Sequence, residues 1–308
     1  MSVSLMDCTL RDGANVVGKG FSAEITDMVL DGLTACHVPI IEFGNAGGIG
    51  AYEVAGFTNA ETDQTYLNVA QKYLNRGSQL GMFLNAKRYQ EKNVSLAKES
   101  GLSFLRVGAD AGDGDIAVQA IHDIKKAGLK AFYSAMKAYL LTPDQLAEEG
   151  KMLEQEGLDE ITIMDSAGTM HPADAGRYVE ALKARIKIPV GFHGHNNLGL
   201  SAANALAAAE HGADILDCGL LGMARRAGKV TAGFDAVVRL LKEGKAYLTL
   251  TAADLSDKTE KELRFAAGEK GGSRILRLGE SKENLGHLLG YGRPVGVLAV
   301  SDKGFAAS

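Results

Sequence analysis

The chain has 308 residues, of which 46% are hydrophobic and 23% charged, a composition that is ordinary for a globular protein. A formal net charge of −5, 6% aromatic residues and no tryptophan argue against a large basic surface or a stacking platform, so we expect no nucleic-acid partner. No run of about 18 apolar residues occurs, so we expect no transmembrane helix and no membrane partner.

Three cysteines, Cys8, Cys36 and Cys218, are widely spaced and odd in number. The sequence has neither a CxxC pair nor a cysteine–histidine zinc spacing, so we interpret the three as reduced thiols. The first residues, MSVSLMDCTLRDG, form neither a basic segment nor an apolar one. These features predict a cytoplasmic protein without a signal peptide.

Short apolar stretches alternate with longer amphipathic stretches along most of the chain. Each apolar stretch is bounded by glycine or polar residues, which is typical of strands in a buried parallel sheet. The predicted strands are residues 3–8, 38–43, 80–84, 103–107, 129–133, 160–164, 189–192 and 214–218. Eight such strands, each followed by a helical pattern, are expected.

The intervals between these strands carry helical patterns with recognisable ends. Thr142-Pro143 predicts a helix start with a threonine cap, and Gly128 and Gly157 predict helix ends. The predicted helices are residues 22–36, 61–74, 91–100, 114–127, 143–156, 172–186, 201–211 and 234–242.

Eight strand–helix units in roughly 245 residues indicate a (β/α)8 TIM barrel. The alternative is a doubly wound sheet, which has a glycine-rich turn after its first strand. Here that strand is followed by the charged residues Arg11 and Asp12. We therefore predict a barrel over residues 1–250 and a short C-terminal helical extension over residues 251–308, with residues 295–300 as a terminal strand or packing segment.

The sequence GFHGHNNLG, at residues 191–199, follows the seventh predicted strand. Residues two apart in a strand point to the same face, so His193 and His195 both face the barrel mouth. Two imidazoles so placed suit one divalent cation, and barrel enzymes carry their active sites at this end. The alternative is a pair of polar residues that only hydrogen-bond.

The sequence DCTLRDG, at residues 7–13, follows the first predicted strand, which lies close to the seventh in a closed barrel. Asp12 is therefore the candidate third ligand, and a set of two histidines and one carboxylate leaves positions open for a chelating substrate. Arg11 places a fixed cation beside this set, where oxyanion charge would develop. The alternative for Arg11 and Asp12 is an ion pair that closes the barrel end.

DCTLRDG together with GFHGHNNLGL resembles the DRE-TIM metallolyase, or HMGL-like, family, and within it the 4-hydroxy-2-oxovalerate aldolase branch. The aspartate, arginine and glutamate that give the family its name match Asp12, Arg11 and Glu42. The resemblance covers residues 5 to 245 and extends to the stretches at residues 164–168 and 217–223.

This resemblance implies a divalent metal, Mn²⁺ or Mg²⁺, held by Asp12, His193 and His195. It also implies cleavage or formation of a 4-hydroxy-2-oxo acid through a pyruvate enolate at that metal, with Arg11 stabilising the enolate oxygen. The alternatives are an acyl-CoA lyase or Claisen-type synthase of the same family, or a non-catalytic metal-binding barrel that acts as a partner subunit. A metal beside a fixed cation also suits metal-assisted hydrolysis.

Position 15 departs from the aldolase branch, which carries there a histidine that is taken to be the acid/base. Asn15 does not exchange a proton at neutral pH. We interpret it either as a residue that orients the aldehyde oxygen or as a cap of a turn.

Further cations are candidates for substrate binding. Arg225, Arg226 and Lys229 follow the last predicted strand and suit a second carboxylate or a phosphate, or else form a solvated loop or a subunit contact. Arg106 on the fourth strand suits a substrate carboxylate or an internal ion-pair layer. Lys137 after the fifth strand supports an alternative Schiff-base mechanism.

The predicted substrate is a small 2-oxo acid, and we expect a homodimer or a higher homo-oligomer. The resemblance also implies an aldehyde dehydrogenase partner, although the short C-terminal extension argues against that partnership.

Overall fold

The computed structural model describes residues 3–17, 20–53, 60–219, 230–268, 273–278, 281–288 and 293–301. Its centre is a closed barrel of eight parallel strands in chain order, in which β1 pairs with β8. The strands are β1 (Ser4–Asp7), β2 (Ile40–Glu42), β3 (Gln79–Asn85), β4 (Phe104–Asp110), β5 (Lys130–Met136), β6 (Glu160–Asp165), β7 (Val190–Gly194) and β8 (Ile215–Cys218). The TIM barrel predicted from the sequence is confirmed.

Seven helices connect the barrel strands: α1 (Ala23–Ala35), α2 (Asp63–Ala70), α3 (Glu91–Glu99), α4 (Val118–Lys126), α5 (Pro143–Gln155), α6 (Pro172–Arg185) and α7 (Ser201–Glu210). Helix α5 begins as predicted, because the Thr142 hydroxyl accepts from the Gln145 amide and Pro143 occupies the first turn. Gly128 and Gly157 follow α4 and α5 with φ of 78° and 95°, a left-handed conformation that glycine adopts without steric cost.

The barrel interior is filled in layers. At the amino-terminal end, Phe104 and Phe132 stack with ring centroids 4.6 Å apart, within an apolar cluster that also contains Met6, Cys8, Ile40 and Ile215. A polar layer follows toward the carboxyl ends of the strands, and its buried members include Glu42, Arg106, Thr162 and His193. In β2 and β4 the polar residue, Glu42 or Arg106, comes two positions after the apolar one, Ile40 or Phe104, and so lies closer to the mouth, where barrel enzymes carry their sites.

The chain continues from the barrel into a separate four-stranded sheet with the order β11-β10-β12-β9. Its strands are β9 (Val230–Ala232), β10 (Leu248–Thr251), β11 (Arg274–Arg277) and β12 (Val297–Val300), and the helices α8 (Phe234–Lys242), α9 (Asp257–Gly268) and α10 (Lys282–Leu288) accompany it. The extension thus contains a sheet as well as the expected helices, and its first strand precedes residue 251. The boundary at residue 250 remains a prediction.

Each face of this sheet has its own apolar partner. Val297 and Ala299 pack with α8 and α9, whereas Leu298 and Val300 join the cluster that runs between the barrel strands and their helices. Helix α10 contacts the turn at Gly13–Val17, directly after β1. The extension therefore lies beside the first loop of the barrel mouth.

No helix within the described part of the chain has the length and apolar character needed to cross a bilayer. The prediction of a cytoplasmic protein is not tested by this finding.

A prediction concerns Gly81 in β3, where a Cβ atom would lie 2.5 Å from both the backbone oxygen and the ring of Phe104. Because a neighbouring strand cannot withdraw its backbone, we expect Gly81→Ala to destabilise the protein by about 1–3 kcal/mol. Urea unfolding measures this change. Gly268→Ala is the matched control, since no atom lies within 4 Å of its Cβ position. Equal unfolding midpoints for the two variants would contradict the prediction.

Candidate metal centre

The chain turns sharply after β1 and brings two charged side chains over the barrel mouth. The backbone amides of Arg11, Asp12 and Gly13 all donate to the carbonyl of Cys8, at 3.1, 2.8 and 3.2 Å. On the opposite side of β8, His193 lies within β7 and His195 follows its last residue. The predicted same-face arrangement of the two histidines is present.

Three candidate ligand atoms converge between these elements. His193 Nε2 lies 3.6 Å from Asp12 Oδ2, His195 Nε2 lies 3.4 Å from the same oxygen, and the two nitrogens are 3.3 Å apart. Ligands held at about 2.1 Å from one ion, at right angles, lie roughly 3 Å apart. Two imidazoles and one carboxylate so arranged form a set of ligands that fits one divalent cation.

The remaining nitrogen of each histidine has a partner that fixes the ring. His193 Nδ1 lies 2.8 Å from the carboxylate of Asp217, and His195 Nδ1 lies 2.7 Å from the carbonyl oxygen of Ser166. Both partners are acceptors, so each ring donates from Nδ1, and Nε2 is the atom of each ring that faces the shared centre and would bind an ion in its deprotonated form.

The electrostatics of the site favour charged carboxylates. Burial raises the pKa of Asp12, but the charge of Arg11 and the hydrogen bonds from the histidines hold it well below its usual range. Burial lowers the pKa of His193, but Asp12 and Asp217 outweigh this effect and raise it to about 9. Burial also opposes ionisation of Asp217, and Arg106 and His193 outweigh it and lower that pKa. A cation is therefore favoured where these groups meet.

Arg11 is held on three sides. Its Nε donates to Glu42, its Nη1 donates to Asp12 Oδ1 at 3.0 Å, and its guanidinium lies 5.0 Å from the ring centroid of Phe83. Nη2 is buried and has no hydrogen-bond partner among the described residues. Gly108 makes room for Phe83, because a Cβ there would lie 2.2 Å from its ring. Arg11 thus keeps one donor available in a fixed orientation.

Glu42 and Arg106 form the layer below this arginine. Both side chains are 0% exposed, and Arg106 donates to Glu42 at 2.8 and 2.7 Å and to Asp217 at 2.7 Å. Its other donors reach Thr162 and Cys8, both at 3.3 Å. All five N–H groups of Arg106 therefore have protein partners, and this favours the ion-pair layer over direct binding of a substrate carboxylate.

The remaining predicted residues lie farther from the centre. Asn15 is exposed, and its amide donates to the Asp12 carbonyl at 3.1 Å, which is the turn-capping interpretation. Lys137 donates to Asp110 at 2.9 Å, and this hydrogen bond raises the pKa of its amine. Arg225, Arg226 and Lys229 lie outside the described residues.

Sequence reasoning assigned no role in the site to Asp217, Ser166 or Phe83. Asp217 had a detectable signal, because it lies near the carboxyl end of the predicted strand 214–218 and shares a strand face with Ile215. Ser166 acts through its backbone carbonyl, for which a sequence carries no signal.

Models of two protein families match this chain, and between them they cover most of it. Residues 2–260 match the model of the HMGL-like family, and residues 219–308 match that of the ribosomal protein L7Ae/L30e/S12e/Gadd45 family. A 4-hydroxy-2-oxovalerate aldolase of Carboxydothermus hydrogenoformans is 34% identical over 73% of this chain and 67% of that protein. An aldolase of the same name from Moorella thermoacetica is 35% identical over 78% of this chain and 70% of that protein.

Two further proteins extend this comparison. An oxaloacetate decarboxylase of Mycobacterium tuberculosis is 35% identical over 73% of this chain and 66% of that protein. The carboxyl transferase domain of Rhizobium etli pyruvate carboxylase has a similar structure, with a TM-score of 0.59 and 20% identity over 72% of this chain and 40% of that chain. At that identity the second likeness concerns the fold alone.

A prediction concerns metal binding to the native state. An ion that binds only the folded protein stabilises it by about 2.7 kcal/mol at 100 times its dissociation constant. We expect MnCl2 to raise the unfolding midpoint of the wild-type protein and to have little effect on His195→Ala. His211→Ala is the control, because its imidazole pairs with the exposed Glu180 away from the site. Equal shifts in wild type and His195→Ala would contradict the proposed ligand set.

Proposed function

The chain belongs to the HMGL-like family, and we propose that it is a divalent-metal-dependent carbon–carbon lyase, an aldolase that cleaves or forms a 4-hydroxy-2-oxo acid. One observation carries the proposal: Asp12, His193 and His195 converge at the mouth of the barrel beside Arg11, whose buried Nη2 has no partner among the described residues. The family membership and the names of the curated relatives support the reaction class.

The bound ion and the protein side chains have different roles in the proposed reaction. Asp12, His193 and His195 would hold a divalent ion, which would supply Lewis-acid chemistry for a 2-oxo acid. In the cleavage direction a general base takes the proton of the C4 hydroxyl, the C3–C4 bond breaks to release an aldehyde, and the enolate takes a proton at C3 from the conjugate acid or from solvent to become pyruvate. The unpartnered Nη2 of Arg11 would donate to the enolate oxygen, and Glu42 fixes the orientation of the guanidinium.

The identity of the ion, the residues that bind a second substrate group, the partners and the location are also part of the proposal. We infer Mn²⁺ or Mg²⁺, since a carboxylate ligand and open positions for oxygen atoms suit these hard ions. Arg225, Arg226 and Lys229 remain predicted ligands of a second carboxylate or a phosphate. A homo-oligomer, an aldehyde dehydrogenase partner and a cytoplasmic location also remain predictions.

The comparisons do not favour the acyl-CoA lyase or Claisen-type alternative, since the relatives described above are aldolases and a decarboxylase. Pyruvate release from 4-hydroxy-2-oxovalerate distinguishes the aldolase from a non-catalytic barrel and from an enzyme that catalyses metal-assisted hydrolysis.

One observation favours a second candidate, the decarboxylation of an oxaloacetate-like 3-carboxy-2-oxo acid. That reaction also yields a pyruvate enolate, but it requires no base to take a proton from a hydroxyl group. Asn15 cannot take such a proton at neutral pH, and one relative is an oxaloacetate decarboxylase. Comparing kcat/KM for oxaloacetate and 4-hydroxy-2-oxovalerate separates the two reactions, with Asp12→Ala in the same MnCl2 solution as the control for background decarboxylation.

A prediction tests the aldolase directly. We expect the protein to release pyruvate from 4-hydroxy-2-oxovalerate, to lose this activity after chelation and to regain it with MnCl2. Arg11→Lys keeps a charge but loses the rigid fork of donors, so we expect kcat to fall about 10²- to 10³-fold. Arg76→Lys is the control, because its exposed side chain pairs with Asp31. An Arg11→Lys variant with wild-type kcat would contradict the role of Arg11.

A further prediction concerns Lys137. Because Asp110 keeps its amine protonated, we expect borohydride with pyruvate to leave the enzyme active and Lys137→Ala to retain activity. Activity is measured as pyruvate release after each treatment. Inactivation that requires both pyruvate and Lys137 would establish the Schiff-base mechanism instead.

A further inference from the structure

One buried carboxylate, that of Asp217 on β8, contacts both a candidate metal ligand and the arginine layer. Its Oδ2 atom lies 2.8 Å from His193 Nδ1 and 2.7 Å from Arg106 Nη1. The side chain is 1% exposed, and Oδ1 has no hydrogen-bond partner among the described residues. This one oxygen atom therefore accepts from nitrogen donors on two different strands, and the Cys8 thiol donates to it as well at 3.5 Å.

The contact between Asp217 and His193 Nδ1 sets the orientation of His193, a candidate metal ligand. An imidazole that donates from Nδ1 presents the lone pair of Nε2. Nε2 of His193 is the atom that lies 3.6 Å from Asp12 Oδ2. A carboxylate partner also raises the basicity of an imidazole ligand, which strengthens its bond to a cation.

The second donor connects Asp217 to the other side of the mouth. Arg106 donates to Glu42 through Nε and Nη2, and Glu42 accepts from Arg11 Nε. Arg11 in turn donates to Asp12. The contacts close a polar ring, which consists of Asp217, Arg106, Glu42, Arg11, Asp12 and His193.

We propose that Asp217 is a positioning residue for both parts of the site: it directs His193 Nε2 to the metal and, through Arg106 and Glu42, fixes the guanidinium of Arg11. The inference rests on the proposed function, since it assigns Asp217 a task within that reaction. Asn has the shape of Asp and keeps one oxygen that can accept from both donors, but it is neutral, so the negative charge that strengthens both contacts is lost. Asp217→Asn therefore weakens both contacts with little change of volume.

Asp7 provides a matched control. It is a buried carboxylate on the neighbouring strand, and its backbone pairs with Cys218 in the register of β1 and β8. Strand alternation places it on the opposite face from Cys8, and it accepts from the amide and hydroxyl of Thr9 at 2.9 and 3.1 Å. Asp7→Asn therefore changes an equally buried carboxylate outside the polar ring.

The experiment measures the Mn²⁺ dissociation constant, from the spin-resonance signal of free Mn²⁺, and kcat at saturating MnCl2. We expect Asp217→Asn to weaken Mn²⁺ binding by about 10- to 100-fold and to lower kcat by about tenfold even when saturated. Asp7→Asn should leave both quantities at the wild-type level. An unchanged dissociation constant would overturn the role toward His193. Full recovery of kcat at saturating MnCl2 would overturn the role toward Arg11.

A measurement on the wild-type protein covers the case in which Asp217→Asn does not fold. Nitrogen-15 spectra of the Mg²⁺-loaded protein, with the His193 signal assigned by comparison with His193→Ala, should show the proton on Nδ1. A proton on Nε2 would overturn the proposal. Wild-type protein that binds neither ion would refute the proposed function itself, whereas wild-type binding with an unaffected Asp217→Asn refutes only the role of Asp217.

Discussion

The pairing of buried charge is the constraint on which the site depends. Arg106 lies inside the barrel with 0% exposure, and an unpaired ion at such a depth would cost several kcal/mol. Glu42 and Asp217 neutralise it from either side, and Glu42 also neutralises Arg11. Because each charge can move only if its partners move, the ion pairs fix the positions of the side chains that reach the mouth.

This constraint explains how three ligands converge in a defined orientation. Each imidazole is held at Nδ1 by an acceptor that belongs to another strand or to its loop, so its Nε2 has one direction available. The turn after β1 places Asp12 opposite them, and Arg11 bonds the same carboxylate from the other side. A preorganised site of this kind needs little rearrangement when it binds a cation or stabilises an oxyanion.

The C-terminal extension contains strands that local sequence patterns do not predict. The helices at Asp257–Gly268 and Lys282–Leu288 agree with the helical extension predicted over residues 251–308, whereas Val230–Ala232 and Arg274–Arg277 were not assigned as strands. Strands of three or four residues carry too short an alternation to be told from loops. They form because β10 and β12 pair across a long interval of sequence, which a local pattern does not contain.

The sequence by itself determined the barrel, the shared face of His193 and His195, and the presence of Arg11 and Asp12 after the first strand, because periodicity and strand order act along the chain. Only the tertiary structure pairs Arg106 with Glu42 and Asp217 and places Asp217 against His193, because these partners come from distant strands. It also shows the contact of the Asn15 amide with the turn, which favours the interpretation of this residue as a cap. Burial and hydrogen-bond geometry arise only when the barrel closes, and these select among the partners that the sequence leaves open.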